Sequence, residues 1–150
     1  MKDFKVKLYN ECIQAISEKI QSIEIALKSL RDDIQSESKS SSGDKHETGR
    51  AMIHLEQEQL SSQLLKLNDQ FNTLKRIEPL ANPKLISAGS LVETNDFFYF
   101  ISIPLGKIII DKIPVYCISL NSPLGLSLSG KRNKESYTLN NKTILILNIH

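Results

Sequence analysis

The chain has 150 residues, 40% of them hydrophobic and 24% charged, with a formal net charge of +2. That length holds one ordinary domain or two small ones, and the near balance of charge excludes a global excess directed at nucleic acid or a membrane surface. Trp is absent and aromatics make up 6%, so an elongated body plus a small domain is a better expectation than one large core.

The N-terminal stretch MKDFKVKLYNEC carries charges throughout and lacks the apolar segment of a signal peptide. Every apolar run is far shorter than the ~20 residues of a membrane span. Together these predict a soluble cytoplasmic protein with no membrane partner. Cys12 and Cys117 lie in different halves, outside any CxxC or Cys/His cluster, and read as buried free thiols.

From the start of the chain, Tyr9, Ile13, Ile16, Ile20, Ile23, Leu27, Leu30 and Ile34 alternate spacings of four and three. That is the a/d seam of a coiled coil. No Gly or Pro interrupts residues 1–42, so one long helix is predicted. After Arg50 the heptad continues through Ile53, Leu60, Leu64, Leu67, Phe71 and Leu74, with Gln57 at one seam position. Pro79 and Pro83 forbid its continuation. Two helices joined by a short polar segment predict an antiparallel coiled-coil hairpin over residues 1–80, its arms roughly 45 Å long at ~1.5 Å per residue. Each seam is narrow enough to satisfy one partner. Two helices of a larger bundle, or a homodimeric coiled coil, use the same pattern.

Beyond Pro83 the chain is rich in Ile, Val, Phe and Tyr, broken by Asn, Asp, Gly and Pro. Strands are predicted at about 90–94, 97–103, 107–110, 113–120, 135–139 and 142–149, with a tight turn at Asn140-Asn141. SPLGLSLSGK holds one short helix, with Ser122 as N-cap, Pro123 at the first helical position and Gly130 as the stop. The fold class is therefore α+β: a helical hairpin, a linker at 78–88, and a small, mostly antiparallel β domain over 84–150.

Between the helical patterns lies SSSGDKHETGR, Ser40 to Arg50. One reading is local: Gly43 permits the bend, Asp44 caps the second helix and Glu47 is its N3 partner. The other is functional. Carboxylates one helical turn apart can hold a hard cation such as Mg²⁺, which takes few protein carboxylates and borrows water and phosphate for the rest. Alone, the pair is a poor site; it needs a partner that already holds a metal and a phosphate.

GDKHETGRAM resembles the hairpin tip of the GreA/GreB family of bacterial transcript-cleavage factors, through Gly43, Asp44, Glu47 and Ala51. The C-terminal stretch resembles that family's ending through Ser122, Pro123, Leu124, Leu128, Gly130 and Lys131. The layout matches over nearly the whole chain. The resemblance implies an FKBP-like second domain that docks near the secondary channel of RNA polymerase, and a hairpin that enters the channel. It implies that Asp44 and Glu47 help hold the second Mg²⁺ of the polymerase, which then cleaves the 3′ end of backtracked RNA. It implies an accessory factor with no tightly bound cofactor, acting as a monomer.

This chain departs from the family pattern at Thr48-Gly49-Arg50, where further acidic and aromatic residues are expected. Arg50 brings a positive charge beside the acids, and His46 lies between them; both, with Gly43, are candidate tip contacts. Lys19, Lys28, Lys66, Lys75 and Arg76 read as a solubilising surface or as a basic strip. No nucleophile, Walker or zinc motif appears, so an enzyme acting alone is not expected. Two other readings use the same residues: a channel-binding regulator that does not promote cleavage, and a structural coiled-coil adaptor.

Overall fold

The computed structural model describes residues 1–36 and 48–150 in full, and 37–38 and 43–47 by their backbone alone. It divides into two compact units, one made of Met1–Ala15 with Asn72–His150 and the other of Ile16–Phe71.

The Ile16–Phe71 unit is helical. Helix α1 runs over Lys2–Ser38 and α2 over Gly43–Lys75. The seam read from the sequence is the buried stripe. Ile16, Leu27 and Leu30 are buried, and Ile20, Ile23 and Ile34 half-buried. On α2, Ile53, Gln57, Leu60, Leu64, Leu67 and Phe71 are half-buried while the residues between them are mostly exposed. Partial burial is what a narrow stripe with a single partner gives. Ile23 and Leu67 line one groove between the helices, flanked by Lys19 and Lys66.

The other unit is built on a six-stranded sheet. Its strands are β1 (Leu91–Thr94), β2 (Phe98–Ser102), β3 (Gly106–Ile110), β4 (Ile113–Ser119), β5 (Ser136–Leu139) and β6 (Lys142–Ile149), in the order β3-β4-β2-β1-β6-β5. Every pairing is antiparallel except β2 with β4. Helix α3 covers Pro123–Leu128. The expected α+β class and strand positions hold to within a residue or two. The Asn140-Asn141 turn is present, with φ of 51° and 63°. Asp111-Lys112 joins β3 to β4 the same way, at 48° and 67°. Two successive positive φ values match the right-handed twist of the flanking strands.

Paired residues share a face of the sheet, so its two faces can be read from the register. Val92, Tyr99 and Tyr116 fall on one face, as do Ile101 and Ile118. They form a core with Leu128 of α3, Tyr137, Ile144, Ile146 and Ile149. Leu91, Phe100 and Cys117 fall on the other face. The start of α1 covers it: the Phe4 ring lies 6.2 Å from that of Phe98, and Cys12 meets Cys117.

This use of α1 corrects the sequence reading, which gave the helix one seam from Tyr9 onward. Phe4, Leu8 and Cys12 recur every four residues and form a second buried face. Lys5 sits on it at 2% exposure. Its Nζ donates to the carbonyl oxygens of Ala81 at 2.8 Å and His150 at 3.0 Å, tying α1 to two distant segments. Burial lowers its pKa, because a buried ammonium is poorly solvated.

Candidate functional site at the start of the second helix

Helix α2 begins at Gly43, so Asp44 lies inside its first turn. The capping-box reading of Asp44 and Glu47 rests on side chains that lie outside the described residues. Asp44 and Glu47 stand at i and i+3 of a continuous helix, the spacing that makes two residues neighbours on a helix surface. The positive end of the helix dipole also favours carboxylates in this turn. The side chains of Asp44, His46 and Glu47 lie outside the described residues, and so does any side-chain geometry of a metal site there. By donor chemistry the pair fits a hard cation in part: two carboxylates supply a fraction of an octahedral Mg²⁺ shell. Among the described residues, no group of three His, Cys, Asp or Glu side chains could hold a metal.

Arg50 lies in the next turn of α2. It is half-buried, and its Nε is shielded from solvent without a hydrogen-bond partner among the described residues. His54 is exposed one turn further on. Lys19 and Lys66, read from the sequence as solubilising or as part of a basic strip, share the groove beside Ile23 and Leu67.

The second sequence motif folds as an architectural unit. Ser122 Oγ accepts from Gly125 N at 3.0 Å and donates to Ser119 O at 2.7 Å, capping α3 and tying it to the end of β4. Pro123 occupies the first helical position, where its missing N–H costs nothing. Gly125 is required by space: a Cβ there would overlap the carbonyl oxygens of Ser119 and Leu120. Gly130, at φ 76°, ends the helix in the left-handed region that glycine tolerates. Its N–H donates to Ile86 O at 2.8 Å, and Ile86 N donates to Lys131 O at 2.9 Å. Ser122, Pro123, Gly130 and Lys131 thus fix α3 to β4 and to the segment before β1.

Phe97, Tyr99 and Tyr116 pack ring against ring, with centroids 5.0 to 6.5 Å apart. They fill space by contact with one another. The sequence reading missed one feature. Cys12 and Cys117 are both buried free thiols, as expected, but their sulfurs lie 3.6 Å apart. Their shared hydrogen bond, and then burial, hold the Cys12 thiol protonated.

No family model matches the chain, and no curated protein matches it. Among the solved structures that align with it are two of Gfh1. One is the transcription factor Gfh1, at 20% identity, covering 92% of this chain and 92% of that one with a TM-score of 0.37. The other is Gfh1 of Thermus aquaticus, at 18% identity, covering 99% of this chain and 95% of that one with a TM-score of 0.35. Likeness at this level assigns neither a family nor a function.

Proposed function

We propose that this chain is a Gre-like transcription factor that acts on RNA polymerase through the secondary channel and promotes cleavage of backtracked RNA. The observation that carries the reading is the helical backbone of α2 from Gly43 onward. It sets Asp44 and Glu47 one turn apart at the head of the returning helix, within the stretch that resembles a Gre tip. The architecture of a helical hairpin with a small β unit supports it.

On this reading the polymerase supplies the reaction and the ions. Two-metal hydrolysis uses one ion to activate water and both to stabilise charge on the phosphate. Asp44 and Glu47 complete the shell of the more weakly held Mg²⁺ and orient its water. The β unit docks at the channel mouth, Gly43 lets the bend approach the nucleic acid closely, and His46 contacts phosphate. The chain holds no metal alone and works as a monomer in the cytoplasm.

Arg50 favours a second version of the same reading. A guanidinium three residues after Glu47 competes with Mg²⁺ for the carboxylates, and the chain then occupies the channel without promoting cleavage. The deciding experiment uses stalled, backtracked complexes of the cognate polymerase with wild-type protein and with Asp44→Asn/Glu47→Gln. Shortened RNA with wild type, and at least roughly a hundredfold less with the variant at equal polymerase binding, is the expected result. Binding without cleavage by either protein leaves the channel regulator. Absence of polymerase binding overturns both versions.

A further inference from the structure

The Cys12–Cys117 pair has no part in the proposed activity, and its placement is specific. Cys12 lies on the second buried face of α1 and Cys117 in the middle of β4, 105 residues later in the chain. Both belong to the sheet-based unit. Their sulfurs sit 3.6 Å apart with nothing between them, and a disulfide needs them about 1.5 Å closer. Neighbours on either side fix the approach. Leu8, one turn before Cys12, is fully buried, and Cys117 is paired with Phe100 and Gly106. We propose that Cys12 and Cys117 are a disulfide-forming site, and that oxidation staples the start of α1 to β4.

The step balances with a small-molecule disulfide as oxidant. One cysteine loses its proton to solvent and attacks an oxidant sulfur, expelling one small thiolate. The second cysteine loses its proton and attacks the resulting mixed disulfide, displacing the other thiolate. One protein disulfide forms, two small thiols are released, and the two cysteine protons end on them. Burial and the hydrogen bond that holds Cys12 protonated make the folded pair slow to react. The attack therefore proceeds when the start of α1 opens from the sheet, or while the chain folds. The second displacement is fast once α1 is seated, because seating brings the partner sulfur adjacent.

A cross-link between residues so far apart removes much conformational freedom from the unfolded chain. The test is to incubate the wild-type protein with oxidised glutathione and measure intact mass, the non-reducing peptide map and the melting temperature, then repeat after adding dithiothreitol. The expected result is a monomer about 2 Da lighter, a Cys12–Cys117 linked peptide, and a melting temperature raised by at least roughly 5 °C that dithiothreitol reverses. Stable glutathione adducts, intermolecular disulfides, an unchanged mass, or a linked protein that melts no higher would each overturn the proposal. Cys117→Ala should remove both the mass loss and the thermal shift. Because the primary readout is on wild-type protein, a poorly folding variant does not obscure it.

Discussion

The helical unit and the sheet-based unit are held together to very different degrees. In Ile16–Phe71, most seam positions are half-buried and the other faces of both helices meet water. In the sheet-based unit Leu8, Leu74, Leu91, Val92, Phe100, Ile101, Val115, Leu128 and Ile146 are each at 0% exposure. Burying an aliphatic or aromatic side chain fully contributes about 1.5–3 kcal/mol, and half-burial proportionately less. The chain thus concentrates its stability in the sheet and leaves the hairpin marginal. The proposed chemical groups lie on the marginal part, where substitutions at exposed positions disturb little packing.

The sharpest way to break that contrast is to truncate one residue in each unit. Phe100→Ala should destabilise the sheet-based unit by about 3–5 kcal/mol in denaturant unfolding. Leu64→Ala should cost about 1–2 kcal/mol, and hydrogen exchange should place the lost protection in residues 16–71 while the strand amides stay protected. Equal losses spread over both units would mean that they unfold as one. A smaller effect tests the motif at α3. Ser122→Ala removes the cap and should cost about 1 kcal/mol, read as a lower denaturant midpoint with unchanged slope.

The smallest effect at neutral pH has the clearest pH signature. Tyr137 is 5% exposed, and its hydroxyl lies beside that of Tyr99. Burial first, then the nearby Tyr99 and Asp96, push its pKa up. The folded state therefore keeps this proton at pH values where the unfolded chain, with a tyrosine pKa of about 10, loses it. Its contribution is complete below pH ~10 and is lost as pH rises above that. Tyr137→Phe should change stability by no more than about 1 kcal/mol at pH 7, and should flatten the alkaline decline. An unchanged decline would assign it to other groups, such as Tyr99, whose pKa burial also raises.

Much of the fold could be read from local signals. The seam, the strands, the Asn140-Asn141 turn and the Ser122–Gly130 helix are each written within a few residues. The second face of α1 was hidden because Phe4, Leu8 and Cys12 interleave with Tyr9 and Ile13, and the stronger heptad masked a four-residue repeat. The cysteine pair was hidden because nothing local joins residues so distant; only the parallel pairing of β2 with β4 and the seating of α1 bring them together. At the head of α2 the motif was readable, and Asp44 and Glu47 lie on helical backbone from Gly43 onward.

The second face of α1 also sets the order in which the molecule can form. Phe4, Leu8 and Cys12 leave the ribosome before β1, β2 and β4, which cover them and are made about a hundred residues later. At 5–20 residues per second, that leaves an apolar stripe uncovered for roughly 5–20 seconds. The hairpin can zip in that interval, because its contacts are local, while the sheet unit waits on closure of a long loop. The chain is therefore most exposed to aggregation and chaperone capture while half-made, at the helix start that later becomes one of its best-buried segments.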